Sequence, residues 1–342
     1  KYISMNSKYT GEASILAILM MIFGVLILLL NQASVKSRKS YTTVTGKSGQ
    51  TSKFNLGRSG KYVIAIILIV VTFFTSIFPI VSFAFETFLP NPGDYSFLYT
   101  GNVSNLTTKW WITNENITEN GMYGQQGILY NDTIWRAYGG TILVAVCCAL
   151  AAGTIGTLIG YAVSKNRRSR WANYVNSVAF LPYLMPSIAV GVAFFILFSN
   201  QYINLFNTYA LLIIVGTVKY IPFASRSSLN SMLQLSGEIE EAAIIQDIPW
   251  IKRMTRIIIP IQKTSIISGY LLPFMTCLRE LSLFILLCVQ GFILSTTLDY
   301  FDEMGLYAFS SGINLILIVT ILICNALVNK VTGASLDKGI GG

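Results

Sequence analysis

Histidine is missing from this 342-residue chain, and charged residues make up only 11% of it. The five cysteines lie in or at the edge of apolar segments without the spacing of metal ligands, so neither a zinc site nor a disulfide framework is indicated. The sequence contains no Gly-x-x-x-x-Gly-Lys-Ser/Thr phosphate-binding loop. Acid–base hydrolysis, metal hydrolysis and ordinary ATP binding therefore have no evident machinery here. We predict no catalytic residue, no metal site and no cofactor in this chain.

Apolar residues dominate the composition, at 53% of the chain with a mean hydropathy of +0.60. A membrane-spanning helix needs about 20 predominantly apolar residues, and seven segments qualify. The sequence therefore predicts an all-α, polytopic membrane protein with about seven transmembrane helices. The predicted spans are about 14–30, 62–85, 138–163, 174–198, 208–225, 264–287 and 308–328.

The net charge of +9 is distributed unevenly between the loops. Basic loops face the cytoplasm by the positive-inside rule, so the pattern predicts that the segment 236–260 and the tail 331–342 are cytoplasmic and that the N-terminus lies outside. Because the alternation fits one membrane orientation throughout, it does not indicate nucleic-acid binding. The basic loops are 31–61, 164–171 and 226–263, and the acidic or neutral loops are 86–136 and 288–307.

A charged amphipathic stretch, residues 236–260, interrupts the apolar segments. Ser236 can cap a first short helix, and Asp247 can cap a second. Pro249 is tolerated in the first turn of that second helix, and Pro260 is expected to end it. Two short helices with a bend between them would form a protrusion that fills a groove on a partner.

This stretch resembles the hallmark of the membrane subunits of binding-protein-dependent ABC importers, which is Glu-Ala-Ala, three residues, Gly, nine residues, Ile-x-Leu-Pro. Asp247 stands where the family has Gly, and Ile259 where it has Leu, so the turn is made by a residue with less conformational freedom than Gly. The resemblance implies docking on cytoplasmic ATPases, with Glu241 at the interface and two alanines permitting close approach. The coupling residues that it implies are Glu241, Ala242, Ala243, Asp247, Ile257 and Pro260.

For the whole chain, the resemblance implies the transmembrane domain of a type I ABC importer over residues 62–330, in a bacterial inner membrane. The partners implied are ATPase subunits that bind ATP and Mg²⁺, a substrate-binding protein at the outer face, and a second permease half or copy. Transport would proceed by alternating access, driven by closure of the ATPases.

The basic segment 31–61 separates the first predicted span from the other six. In the ferric-iron branch of the family, two permease halves are often fused through a basic linker of similar appearance. Residues 1–30 then resemble the last helix of a preceding half, and the chain resembles the C-terminal portion of a longer permease or one product of a split gene. The resemblance implies ferric iron as the substrate, with thiamine, polyamines, phosphonates and oxyanions as alternatives.

The predicted span 264–287 contains Arg279-Glu280-Leu281-Ser282, and charges inside a membrane cost several kcal/mol unless they are paired or face a cavity. The similar ferric-iron and polyamine permeases carry an Arg-Glu-Leu or like signature here. The resemblance therefore implies that Arg279, Glu280 and Ser282 belong to the translocation pathway or its gate. Structural pairing between helices and direct contact with substrate are the alternatives.

Pro182 and Pro186 interrupt the predicted span 174–198. Prolines free backbone carbonyls, and irregular backbone within a membrane is tolerated where it lines protein or a watery cavity. The two prolines therefore indicate either the substrate passage or a packing kink. Lys219, seven residues before Arg226, is expected to extend toward the inner headgroups.

Two further segments carry distinctive patterns. Gly156 and Gly160 have the small-xxx-small spacing that is typical of close helix contacts in membranes. The outer loop 86–136 is rich in Asn and Tyr and contains three tryptophans, Trp110, Trp111 and Trp135. It could rest at the headgroup boundary or contact a binding protein.

Two other classes of protein remain open at this level. A secondary transporter or channel without an ATPase would need titratable residues at mid-membrane in several helices, whereas only Arg279, Glu280 and Lys219 qualify. A scaffold or a degenerate half-permease that transports nothing is the other alternative.

Overall fold

The computed structural model describes residues 57–332 apart from 92, 102, 118–123, 200 and 201, together with six helical residues between 15 and 26. Within these ranges the chain is helical or turn-like, with two isolated bridges and no strand. The prediction of an all-α fold is confirmed. Most of the first predicted span, the linker up to 56 and the tail from 333 lie outside the described residues.

The helices follow one another with short connections, and a long apolar helix opens the described part. The first helix, Gly57–Thr72, continues into the second, Phe78–Glu86, through a π-helical turn at Phe73–Ile77. A 3₁₀ turn at Ile128–Tyr130 precedes the long helix Asp132–Lys165. The helices are α1 (Gly57–Thr72), α2 (Phe78–Glu86), α3 (Phe97–Thr100), α4 (Lys109–Ile112), α5 (Asp132–Lys165), α6 (Arg170–Leu184), α7 (Ser187–Phe198), α8 (Tyr209–Gln234), α9 (Gly237–Ile245), α10 (Trp250–Arg253), α11 (Ile259–Ile261), α12 (Lys263–Leu278), α13 (Leu294–Glu303) and α14 (Tyr307–Thr332).

Four helical stretches in the described residues are long and apolar enough to cross a membrane, and six are found if each of two bent helix pairs counts as one span. The first bent pair is α6 with α7, at 101°, and the second is Trp250–Ile261 with α12, at 86°. Six agrees with the number of spans that the sequence predicts after residue 61. Helix α8 runs to Gln234, well beyond the predicted end at 225, because polar serines in its last turns lie buried inside the protein.

The main core forms where α5, α8 and α12 pack together. A methyl group added at Gly156 would lie 2.5 Å from the Cβ of Ala224, and one added at Gly160 would lie 2.7 Å from the backbone nitrogen of Leu229. These approaches leave no room for a side chain on α5 where it meets α8. The prediction of close contact from the small-xxx-small spacing is confirmed.

The predicted span 264–287 is wrong as a single helix. Helix α12 ends at Leu278, Arg279 is its C-cap, and residues 279–293 form turns before α13 begins. The Glu280 carboxylate accepts a hydrogen bond from the backbone N–H of Leu283 at 3.1 Å, which gives the chain a local alternative to helix. Arg279 therefore does not sit in the interior of a spanning helix.

Trp110, in the loop 86–136, is a core residue. It is 7% exposed, its indole nitrogen donates to the carbonyl of Leu89 at 2.8 Å, and its ring packs edge-on against Phe309. Neither expected role, at the headgroups or against a binding protein, fits this tryptophan. Trp135 remains 41% exposed at the start of α5.

Candidate functional site

Residues 236–261, which we call the knob, connect α8 to α12 and contain two helical arms. The first arm is α9, and the Ser236 hydroxyl at its start accepts a hydrogen bond from the backbone N–H of Glu238 at 3.4 Å. Glu238 and Glu240 lie in the first turn, where the helix dipole favours negative charge. The prediction that Ser236 caps this helix is confirmed.

Asp247 ends the first arm and does not cap the second. Its φ is +53°, its N–H bonds to the carbonyl of Ile244 at 2.9 Å, and the N–H of Ile248 bonds to the carbonyl of Ala243 at 3.1 Å. This is the Schellman arrangement, in which the left-handed position is usually Gly. The second arm starts after Pro249 without a side-chain cap. The predicted cap is wrong because Asp two residues before Pro249 is also typical of a helix start, and the sequence does not show the sign of φ.

Replacing Asp247 with Gly should stabilise the knob by about 0.5–1 kcal/mol, because Gly adopts left-handed φ without a Cβ penalty. Amide hydrogen exchange at Ile248, whose N–H closes the turn, measures this change. Gln246→Gly is the matched control, since Gln246 has a φ of −86° and gains nothing from Gly. Slower exchange in both variants, or in neither, would contradict the assignment of Asp247.

The second arm runs from α10 through a π-helical turn at Met254–Ile258 to α11, and it ends at Ile261. Pro260 lies in its last turn, so the expected stop is confirmed to within one residue. Met254 and Ile258 are buried and form a small core with Met232 and Ile266, which anchors this arm to the ends of α8 and α12.

A buried carboxylate fixes the first arm to α5. Glu240 is 4% exposed, and its Oε1 accepts a hydrogen bond from the Tyr161 hydroxyl at 2.5 Å. The Lys165 ammonium forms an ion pair with Oε2. Arg253 of the second arm lies 3.8 Å from Oε1 through Nε and donates from Nη1 to the carbonyl of Ile248 at 2.8 Å. We call Glu240, Tyr161, Lys165 and Arg253 the Glu240 clamp.

The clamp stays charged at neutral pH. Burial disfavours the carboxylate, but the Lys165 ammonium and the Tyr161 hydroxyl outweigh it and lower the pKa of Glu240 below its usual value. A lowered carboxylate pKa stabilises the fold above the ordinary pKa, and the contribution is lost as pH falls through the folded value. The Glu240 carboxylate therefore stays ionised across the physiological range, and its contribution is lost in acid.

Sequence reasoning missed Glu240 as a site residue and selected its neighbour Glu241. Adjacent residues on a helix point about 100° apart, so one of the two faces the protein while the other faces solvent. The signal that could have indicated Glu240 is the basic loop 164–171 at the end of α5, because its positive charges favour a nearby acidic side chain.

The six coupling residues predicted from the motif occupy different environments. Glu241 and Ala242 are exposed on α9, as are Asp247 in the turn and Pro260 in the second arm. Ala243 is 5% exposed and lies inside the knob, and Ile257 is partly buried. A bulky charge at Ala243 would therefore disturb the knob itself, so Ala242 is the better position for testing an outer contact. The most exposed apolar side chains of the knob are Ile245, Ile251 and Ile261, at 82%, 67% and 52%.

The break between α6 and α7 lies at Met185 and Pro186. Pro186 has no N–H to bond to the carbonyl of Pro182, four residues earlier. Lys219, 8% exposed, donates to that carbonyl at 3.0 Å and to the carbonyl of Met185 at 2.6 Å. The prediction that Lys219 extends to the headgroups is wrong, because the bend brings free carbonyls close enough to bind its ammonium.

Replacing Lys219 with Met should lower the melting temperature by roughly 3–8 °C, because a buried carbonyl without a partner costs about 1–3 kcal/mol. Thermal unfolding of the detergent-solubilised chain measures the effect. Lys263→Met, at an exposed lysine in the first turn of α12, is the control and should leave the melting temperature within about 1 °C. Equal melting temperatures for both variants and the wild type would show that Lys219 does not hold the break.

Glu280 is linked to the break between α6 and α7 through Tyr220, which follows Lys219 in α8. The Tyr220 hydroxyl donates to Oε2 of Glu280 at 3.0 Å. Pro182, Pro186 and Glu280, predicted separately as pathway residues, are thus gathered around positions 219 and 220 of α8. Arg279 and Ser282 are exposed and are not part of this cluster.

The class of protein follows from this architecture: a polytopic helical membrane protein with broken helices at its centre and a two-arm protrusion between two spans. A family model described as a binding-protein-dependent transport system inner membrane component matches residues 152–334. The match covers more than half of the chain, so the chain belongs to this family, the permease subunits of type I ABC importers. Such subunits are transport components and are not themselves catalytic.

Known proteins agree with this assignment at low identity. A ferric transport system permease protein of Actinobacillus pleuropneumoniae is 22% identical over 287 residues, which are 84% of this chain and 38% of that protein. A putrescine transport system permease protein of Escherichia coli K12 is 28% identical over 204 residues, or 57% of this chain and 68% of that one. A bacterial ABC transporter that imports alginate has a TM-score of 0.56 at 16% identity, covering 82% of this chain and 99% of that chain. The chain spans about two fifths of the length of the ferric permease.

Proposed function

We propose that this chain forms part of the translocation pathway of an ATP-driven importer and that the knob docks on cytoplasmic ATPase subunits, which bind ATP and Mg²⁺. The observation that carries the proposal is the knob itself: an exposed apolar tip at Ile245 and Ile251, fixed to a spanning helix by an ion pair whose carboxylate is buried. The tip supplies a contact surface, and the clamp supplies a rigid connection. Basic residues in and around the knob support a cytoplasmic position in a bacterial inner membrane.

The clamp gives this docking a mechanical route into the membrane. Helix α5 has 34 residues and rises about 51 Å, enough to cross the bilayer. It receives the knob through Tyr161 and Lys165, and it packs directly on α8, which holds the α6 break and Glu280. Closure of the ATPases would rotate these helices as a unit and change access to the central cluster.

Two further partners belong to the proposal. A substrate-binding protein would deliver cargo at the outer face, and a second permease half or another copy of this chain would complete the pathway. The apolar stretch Ser59–Glu86, whose most apolar part is not buried within this chain, supports contact with lipid or with that second half.

For the substrate we propose ferric iron, selected by the binding protein. The ferric permease relative and the basic linker 31–61 support this choice. The putrescine permease relative supports a polyamine as the second candidate. Thiamine, phosphonates and oxyanions rest on the general resemblance to the family.

Reconstitution in proteoliposomes with the ATPase, the binding protein and the second half tests the proposal. We expect ATP-dependent uptake of ferric iron that exceeds uptake of putrescine and molybdate. Uptake of putrescine instead would replace the substrate and retain the class. Uptake that needs no ATP would support a secondary transporter. An assembled complex that takes up no supplied cargo, even a cargo that its binding protein has bound, would support a scaffold.

A further inference from the structure

A cavity of about 440 Å³ lies far from the knob along the chain, between the end of α2, the loop around Tyr95, the end of α13 and the start of α14. The volume falls in the range of small-molecule sites, roughly 300–1,000 Å³. Two carboxylates, Glu86 and Asp302, line it together with serine and tyrosine hydroxyls and one amide. Its described lining includes no lysine or arginine. The cavity therefore combines apolar surface with negatively charged and hydroxyl groups.

Both carboxylates are held in place by neutral donors. The Tyr95 hydroxyl donates to Oε2 of Glu86 at 2.8 Å, and the N–H of Gly93 donates to Oε1 at 3.2 Å. The Ser310 hydroxyl donates to Oδ1 of Asp302 at 3.3 Å. Within the described residues neither carboxylate forms an ion pair. Because a carboxylate has about four acceptor positions, both retain capacity for a ligand.

Two polar side chains in the cavity have no hydrogen-bond partner among the described residues. Ser311 is 5% exposed, and its hydroxyl makes no hydrogen bond in the part of the chain that the structure describes. Asn314 lies one turn later on the same face of α14, half-buried, and its amide likewise has none there. Because both side chains line the cavity and neither is engaged by the described chain, the hydroxyl and the amide are available to hydrogen-bond a ligand there.

We propose that this cavity binds a small organic cation through a primary ammonium group. An ammonium has three donors and no acceptor, which matches a lining of carboxylate, hydroxyl and amide oxygens. An anion would be repelled by Glu86 and Asp302, and a neutral ligand would leave their charge uncompensated. The ammonium can belong to a free amine or to the headgroup of phosphatidylethanolamine. The site is separate from the knob and does not depend on the importer function proposed above.

Calorimetric titration of the purified full chain in detergent tests this site with 1,4-diaminobutane and ethanolamine, and with 1,4-butanediol as the uncharged control. We expect saturable binding of the amines and binding of the diol at least about tenfold weaker, since the charge pairing is lost. Asp302→Asn should weaken amine binding about tenfold, and Ser311→Ala and Asn314→Ala severalfold.

Asp132→Asn is the matched control, because Asp132 is 89% exposed and pairs with Arg136 on the surface of α5, outside the lining of the cavity. The amine affinity of this variant should equal that of the wild type. Competition in nanodiscs distinguishes the two sources. Weaker diamine binding in phosphatidylethanolamine than in phosphatidylcholine would assign the headgroup, and equal binding would assign a free amine. No saturable amine binding by the wild type, or equal affinity in the Asp302 and Ser311 variants with unchanged melting temperatures, would overturn the proposal.

Discussion

Replacing Glu240 with Gln should lower coupled uptake about tenfold or more while the chain still inserts in the membrane. Removing the charge leaves Lys165 and Arg253 facing a neutral amide. We expect this to destabilise the knob by about 2–3 kcal/mol, less than breaking a fully buried pair would, because Lys165 is 36% exposed. The two arms of the knob then lose their common attachment to α5. ATP hydrolysis by the partner should continue without stimulation by the loaded binding protein. Parallel assays of uptake and hydrolysis in proteoliposomes measure the uncoupling.

Glu238→Gln is the matched control, since Glu238 lies on the same helix with an exposed side chain and takes no part in the clamp. Its uptake should stay within about twofold of the wild type. The double variant Glu240→Gln with Lys165→Met should lose less than the sum of the two single losses, because both remove the same ion pair. Full coupling in Glu240→Gln, or additive losses in the double variant, would refute the clamp as the mechanical link.

Replacing Gly156 with Leu should prevent correct packing of the bundle, at a cost above about 3 kcal/mol. Even a methyl group at this position would meet the Cβ of Ala224 at 2.5 Å and the backbone nitrogen of Ser225 at 2.7 Å. Helix backbones cannot move aside as a flexible side chain can, so α5 and α8 would have to separate. The yield of monodisperse protein in gel filtration and its melting temperature both measure the loss.

Gly139→Leu provides the comparison within the same helix, because a Cβ at Gly139 meets no atom within 4 Å. Leu is also a better helix former than Gly, so this variant should be as stable as the wild type or slightly more stable. Equal yields from the Gly156 and Gly139 variants would contradict the close packing of α5 against α8.

Features that depend on local pattern were predictable from the sequence. Long apolar runs predicted where the spanning stretches of the described region lie, although 264–287 is not a single helix, and the Glu-Ala-Ala spacing predicted the position of the knob. The Ser236 cap and the stop near Pro260 follow from local backbone chemistry, in which a hydroxyl caps N–H groups and Pro lacks one.

Features that depend on long-range geometry were not predictable. Lys219 finds its carbonyls 37 and 34 residues earlier in the chain, at a bend whose angle hydropathy does not encode. Glu240 and Glu241 differ by one step of helix rotation, and the partner of Glu240 lies at the end of another helix. The turns at 279–293 contain an apolar run like that of a helix, so composition alone cannot separate the two structures.

Photo-crosslinking from the tip of the knob tests the central claim most directly. With p-benzoylphenylalanine at position 245, where Ile is 82% exposed, the assembled complex should yield a covalent adduct with the ATPase subunit that changes in amount when ATP is added. The same group at position 98, where Leu is 67% exposed in the loop 86–136, should give no ATPase adduct. A complex that hydrolyses ATP but gives the adduct only from position 98, or from neither position, would contradict the docking of the knob on the ATPase.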